Sequence, residues 1–237
     1  YDVFNATGAG TDGSYNVAVG VAALTANTQG QFNVAIGRRA LYTNTTADEN
    51  TAVGYLSLYL NETGANNTAV GNSALQNNVA SANTAVGDRS LTANTSGNSN
   101  VAMGKDALYA NTSGSNQVAI GFEALKSNET NSYNVAVGMN TLRLNTADDN
   151  VAVGYNAQAA NTTGTSNTAI GHAALDANQT SANNTAVGTN ALGLSTAASN
   201  TAVGSHAADG LTNGGNNTAM GYNAMGANAS GGHNTAI

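Results

Sequence analysis

Asn16-Val17-Ala18-Val19-Gly20 is followed by Asn33-Val34-Ala35-Ile36-Gly37 and then by Asn50-Thr51-Ala52-Val53-Gly54. The phrase returns along the whole chain. Its closing glycines are Gly20, Gly37, Gly54, Gly71, Gly87, Gly104, Gly121, Gly138, Gly154, Gly171, Gly188, Gly204 and Gly221, each 16 or 17 residues after the one before. A fixed period of this size marks an array of stacked units, not an ordinary globule. We number each unit from its Asn, so the closing Gly is position 5. Position 1 is Asn16, Asn33, Asn50, Asn67, Asn83, Asn100, Asn134, Asn150, Asn167, Asn184, Asn200 and Asn217, with Gln117 the one departure before the final Asn234. Position 3 is Ala throughout, position 4 is Val, Ile or Met, and position 2 is Thr or Val. Position 8 is small. Position 9 is Leu from Leu24 to Leu142, then Gln158, Leu175, Leu192, Ala208 and Met225, and position 12 is mostly Asn.

Positions 2 to 4 read as a short strand, β-branched and alternating large, small, large. The glycine then turns the chain, since it takes positive φ without steric cost. Positions 8 to 10 read as a second short strand. Asn at position 12 suits the next corner, because Asn tolerates the left-handed region. Positions 13 to 17 form a loop back to the next phrase. The expected fold is all-β: a parallel β-solenoid, or β-roll, of 16–17-residue coils with two short strands each. Residues 1–15 are expected to be a partial or atypical first coil, and 16–237 one continuous array.

The shorter units support this assignment. Their missing residue falls within Val79 to Ala82, Thr146 to Asp149 and Thr196 to Ser199, all in the loop. A strand would not tolerate such a change, because a one-residue slip exchanges its faces. A helical solenoid is disfavoured: Gly or Asn interrupts every unit and no apolar stripe of 3.6-residue period develops. Leucine-rich repeats have a period of about 20–29 residues and several leucines per unit, unlike this chain.

Stacked coils would place the position-1 asparagines in a column, with each amide bonding those above and below. Position 12 offers a second column. Three side chains per unit look fit for a core: the Ala at 3, the aliphatic at 4 and the Leu at 9, in the first unit Ala18, Val19 and Leu24. Burying a Val or Leu contributes roughly 1.5–3 kcal/mol. Ordering each residue costs roughly 1–2 kcal/mol of backbone entropy. The margin for one isolated chain is thin. Both faces of the strand are largely apolar, so one is expected to line the coil and the other to meet a second copy. Which face does which is left open at this point.

Composition narrows the function. Charged residues are 8% of the chain, against roughly 25% in ordinary domains. The net charge of −7 disfavours nucleic acid, whose partners carry a basic stripe. No apolar run approaches the ~20 residues of a membrane helix, so no membrane span is expected in this segment. There is no Cys, hence no disulfide framework. The chain opens at Tyr1 and stops at Ile237 inside the phrase, which reads as a piece of a longer or processed protein. Capping units are not evident.

The cations Arg38, Arg39, Arg89, Lys105, Lys126 and Arg143 all fall at positions 6, 7 or 10, as do Tyr42, Tyr55, Tyr59, Tyr109, Tyr155 and Tyr222. These positions vary from unit to unit and are expected on the water side. Arg38 and the six tyrosines are the candidate surface contacts to a receptor or glycan. No metal, cofactor or catalytic set is expected. His172, His206 and His233 lie in different units, no serine pairs with a base in the sequence pattern, and phosphate-loop and calcium-repeat motifs are missing.

Val34-Ala35-Ile36-Gly37, Val118-Ala119-Ile120-Gly121 and Thr168-Ala169-Ile170-Gly171 resemble the head repeat of trimeric autotransporter adhesins. They are also similar to repeat arrays in phage and viral tail-fibre proteins. The resemblance implies a left-handed parallel β-roll, three chains wound about one axis, and attachment outside the cell, on a bacterial surface or a virion fibre. The units here are longer than the usual head unit and carry Leu at position 9. The expected function is therefore a non-enzymatic extracellular fibre or adhesin segment that spaces and displays a variable surface, a homotrimer with a host-surface receptor or glycan as partner. Two alternatives are an ice-binding solenoid using threonine ranks at positions 2 and 13, and a self-assembling matrix or sheath filament.

Overall fold

The computed structural model describes residues 3–4, 15–226 and 230–237. It divides into two units, Tyr1–Gln117 and Val118–Ile237, and the same coil is repeated within each. Among the described residues there is no helix. In the first unit, β1 (Val3–Phe4) pairs antiparallel with β2 (Val17–Val19). The parallel series continues through β3 (Val34–Ile36), β4 (Thr51–Val53), β5 (Thr68–Val70), β6 (Thr84–Val86) and β7 (Val101–Met103). In the second unit, β8 (Val118–Ile120), β9 (Val135–Val137), β10 (Val151–Val153), β11 (Thr168–Ile170), β12 (Thr185–Val187), β13 (Thr201–Val203), β14 (Thr218–Met220) and β15 (Thr235–Ala236) stack parallel in chain order. The parallel β-solenoid is thus the fold of each unit. The rest of the expected first coil, residues 1–2 and 5–14, lies outside the described residues.

Alanine sits on alanine at every parallel pairing within a unit, including across the shorter coils: Ala69 faces Ala85, Ala136 faces Ala152 and Ala186 faces Ala202. The loop absorbs the lost residue. In a 17-residue coil the Asn27 amide bonds the carbonyl three residues on, at Gly30, whereas Asn78 and Asn145 bond the one two residues on, at Ala80 and Ala147.

Position 3 points into the coil: Ala35, Ala52 and Ala69 are fully buried. Positions 2 and 4 therefore point out, since successive strand residues alternate. This settles the facing left open above and corrects the expected core. Val19 is 37% exposed, Ile36 39% and Met103 41%, so the position-4 aliphatic is not core within one chain. The lumen is too narrow for it. Ala at 3, the small residue at 8, Leu at 9, Asn at 1 and 12, and a small residue at 15 fill the space.

The expected second strand is also corrected. Positions 6 to 11 form consecutive turns, not an extended segment. Positions 8 and 9 are both buried, as in Ala40-Leu41 and Ala74-Leu75. A strand would send one of them outward. The backbone instead takes positive φ at position 7 and again at position 9, for example Arg39 at 57° and Leu41 at 51°. Left-handed backbone costs roughly 1–2 kcal/mol per residue, and full burial of a Leu offsets it with roughly 1.5–3 kcal/mol. The segment still bonds to its neighbours: the Leu41 N–H donates to Ser57 O on one side and the Arg39 N–H to Val21 O on the other, each at 3.0 Å. The left-handed corner expected at position 12 falls at 7, 9 and the residue before position 1, and none of the described position-12 asparagines has positive φ.

The position-5 glycines all take φ between 122° and 139°. A Cβ on Gly71 would stand 2.4 Å from the Gly87 carbonyl oxygen in the next coil, so both conformation and space require glycine.

Both asparagine columns exist, with different wiring. At position 1, Oδ1 accepts the backbone N–H of the next Asn: Asn33 to Asn16 at 2.8 Å, Asn50 to Asn33 and Asn67 to Asn50 at 3.0 Å, Asn83 to Asn67 at 2.9 Å, and Asn100 to Asn83 at 3.0 Å. The second unit repeats this from Asn134 through Asn150, Asn167, Asn184, Asn200 and Asn217 to Asn234. The position-1 Nδ2 group usually donates across the lumen to the position-15 carbonyl, as from Asn16 to Gly30 and Asn83 to Gly97. Amide-to-amide bonds occur in both columns: at position 12 Asn44 donates to Asn27 and Asn94 to Asn78, and at position 1 Asn67 donates to Asn50 and Asn217 to Asn200. These bonds satisfy most of the polar groups that enter the lumen, though Asn44 Oδ1 and Asn161 Oδ1 accept none. Ser57, Ser90 and Thr141, buried at position 8, likewise donate to carbonyls of Gly54, Ala102 and Gly154.

Candidate functional site

Three surfaces face outward: the sheet face of positions 2 and 4, a rim of positions 6, 7, 10 and 11, and the loop face of positions 13, 14, 16 and 17. Every sequence-selected contact residue lies on the rim. In the first unit Arg38 lies 5.7 Å from the centroid of Tyr55, Arg39 5.8 Å from that of Tyr42, and Arg89 5.4 Å from that of Tyr109. Tyr42 and Tyr59 stack at 5.4 Å. In the second unit Tyr155 stacks on His172 at 5.3 Å and Tyr222 meets His206 edge-on at 6.4 Å. In two successive coils the structure thus makes two sets, Arg38 with Tyr55 and Arg39 with Tyr42 and Tyr59, while Tyr109, Tyr155 and Tyr222 stand apart. Arg39 was not among the selected contacts. Its position-7 site, three residues before Tyr42, is the signal that would have found it.

The remaining cations are paired. Arg89 bonds Asp106 at 2.9 Å, and Lys105 lies 3.8 Å from Asp88. Lys126 and Arg143 both reach Glu123, at 2.6 and 3.5 Å. The hydrogen bond from Lys126 holds the Glu123 carboxyl below its usual range; burial opposes this, and the charges of Lys126 and Arg143 reinforce it. Burial pushes the Asp176 carboxyl up, against a hydrogen bond from the Ala159 backbone and the charge of His172. A depression of about 430 Å³ runs along this part of the rim, lined by Phe122, Glu123, Asn140, Arg143, Asn156 and Asp176 among others.

One serine does meet a base, contrary to the sequence pattern: Ser205 Oγ is 2.9 Å from His206 Nδ1, and Asn190 Nδ2 is 3.2 Å from His206 Nε2. Acyl transfer also needs donors aimed at a developing oxyanion. The nearby N–H groups of His206 and Ala207 are already bonded to Thr189 and Gly204. Among the described residues no group of three or more His, Cys, Asp or Glu gathers as a metal site, and no helix is long and apolar enough to cross a membrane.

The two threonine ranks differ. At position 13 the hydroxyls of Thr28, Thr45, Thr95, Thr146, Thr162 and Thr196 donate to the backbone carbonyl of the next coil. At position 2, Thr168, Thr185, Thr201, Thr218 and Thr235 stand in unbroken register on the sheet face.

Comparison of the chain with protein families, curated proteins and solved structures finds no match.

Proposed function

We propose that this chain is a non-enzymatic segment of an extracellular fibre, a homo-oligomer that stiffens the fibre and displays its rim for attachment. The supporting observation is a contrast within the chain. The sheet face repeats Thr or Val beside Val, Ile or Met in every coil, and much of it is open to water. The rim changes identity from coil to coil. A constant apolar surface is what self-association uses, and a drifting polar surface is what recognition uses. At roughly 4.8 Å per strand and 3.3 Å per residue, the sheet face covers about 290 Å² in the first unit and about 380 Å² in the second. These areas lie near or within the range of the largest apolar patch on a typical monomer, about 300–600 Å², and threonine at position 2 makes part of each polar, so the constancy of the face, not its area, supports association. The resemblance to adhesin heads and tail fibres points to a trimer and to a bacterial surface or virion.

The test is light scattering after size exclusion, with Val53→Glu and Val70→Glu introduced together. The expected result is a wild-type trimer that resists dilution and a variant that dissociates with its far-UV spectrum unchanged. A wild-type monomer at all concentrations overturns the reading.

Ice binding is the second reading, and the five-threonine rank of β11 to β15 favours it. Thermal hysteresis of the purified chain decides this. A monomer with hysteresis replaces the fibre reading, and its absence at high concentration removes the alternative.

A further inference from the structure

The chain has 13 acids for six cations, so a carboxylate partner is readily found for a cation. Arg89, Lys105, Lys126 and Arg143 each have one within 4.0 Å. Among the described residues Arg38 and Arg39 have none. Each guanidinium lies instead against a tyrosine ring, Arg38 on Tyr55 and Arg39 on Tyr42, with Tyr59 stacked behind Tyr42. The acids of the same two coils, Asp48, Glu49 and Glu62, are on the loop face. Asp48 Oδ1 there already accepts the Gln31 N–H at 2.7 Å.

An arginine held near an aromatic ring by its charge, at 5.7 and 5.8 Å here, keeps its N–H donors available. That fork of donors matches a carboxylate or sulfate, which it binds bidentately. Tyr55 is 43% exposed and offers an apolar platform beside the fork. We propose that Arg38, Arg39, Tyr42, Tyr55 and Tyr59 form a binding site for an acidic saccharide. The charged substituent pairs with the Arg38 guanidinium and the sugar ring lies on Tyr55, with Arg39 adding positive charge from the neighbouring set beside Tyr42. A long polyanion is disfavoured as the natural partner, because the chain's net charge of −7 repels it at a distance. A short acidic sugar adds only one or two charges and gains the stacking.

This site names the ligand class for the displayed rim, and so rests on the fibre reading. Calorimetric titration tests it with two probes, a sialylated trisaccharide carrying a carboxylate and a sulfated disaccharide, each beside its neutral parent sugar. The wild-type chain is expected to bind at least one acidic probe, about tenfold or more tighter than its neutral parent, and to weaken as salt rises. Which acidic probe wins separates carboxylate from sulfate. Arg38→Gln with Arg39→Gln, and separately Tyr55→Ala, should each lower affinity at least about tenfold. Arg143→Gln should not change it. No binding of either acidic probe up to about 10 mM, or undiminished binding by the double arginine variant, overturns the site. Light scattering on the same samples keeps the two readings apart. A chain that associates but binds no acidic sugar overturns the site alone, and a monomer that binds it overturns the fibre alone.

Discussion

Asn33 rests its backbone N–H on the side chain of Asn16, one coil earlier, with 2.8 Å between nitrogen and Oδ1. The same bond recurs coil after coil, so a side chain from one coil completes the backbone of the next. Asn67 shows what it is worth. Its Oδ1 accepts from Asn83 N–H at 2.9 Å and its Nδ2 donates to Ala80 O at 2.8 Å. Asn67→Ala orphans the Asn83 N–H inside the lumen, at roughly 1–3 kcal/mol, while Ala80 O keeps the Asn78 amide at 2.7 Å. We expect a loss of about 2 kcal/mol in denaturant unfolding, against about 0.5 kcal/mol or less for Thr63→Ala on the exposed loop.

Two glycine substitutions should separate conformation from space. Gly71→Ala places a methyl 2.4 Å from the Gly87 oxygen at a φ of 137° and should cost about 3 kcal/mol or more. Gly64→Ala meets the Ala80 oxygen at 2.1 Å but not at positive φ, and Ala47 and Ala80 already occupy the same position in their own coils, buried. A small shift of the loop relieves that clash. The Gly64 variant should melt nearer the wild type than the Gly71 variant, and the reverse order would show that the turn conformation is not what glycine supplies.

Gln158 fills a leucine position. It is fully buried, its Nε2 reaches Asn150 Oδ1 at a long 3.3 Å, and its Oε1 has no partner. Gln158→Leu removes that orphan and strands nothing, because Asn150 Oδ1 still accepts the Asn167 N–H. The substitution should stabilise the chain by about 1–2 kcal/mol, read as a shift of the denaturant midpoint at unchanged slope.

The two perturbed carboxyls should give opposite pH signatures. Burial raises the folded Asp176 carboxyl above its ordinary 3.8, so its penalty is zero below that value and grows as pH rises through the folded value. Asp176→Asn, which keeps an acceptor for Ala159, should raise the melting temperature near pH 7 and leave it unchanged near pH 3. Glu123 is held below its ordinary 4.5. Its contribution is present above that value and disappears as pH falls through the folded value. Glu123→Gln should therefore lower the melting temperature near pH 7 and have no effect near pH 2. Melting curves at paired pH values check both signs.

The coil was legible because Gly20, Gly37 and their successors recur with the period, and because length changes fall only in loops such as Val79 to Ala82. The direction of the strand was not. Val19 and Ala18 are both apolar, and nothing in that pair says the smaller one turns inward; the width of the lumen decides it. The left-handed backbone of Leu24, Leu41 and Leu58 was hidden for a related reason. Leucine ordinarily avoids that region, and only the need to bury positions 8 and 9 together makes it pay. On the rim, exposure followed from variability. The pairing of Arg89 with a nearly buried Asp106, and the absence among the described residues of an acid beside Arg38 and Arg39, depend on which neighbour each coil happens to supply.

Position 15 and the two asparagine columns close each coil on itself and hand the next one an identical landing surface. Excising a whole coil therefore presents the coils on either side with the neighbour they already had, and duplicating one does the same. Recombination between such near-copies lengthens or shortens a run in increments of about 4.8 Å. The gene thereby holds a graduated ruler whose reach evolution can reset without redesigning any single mark on it.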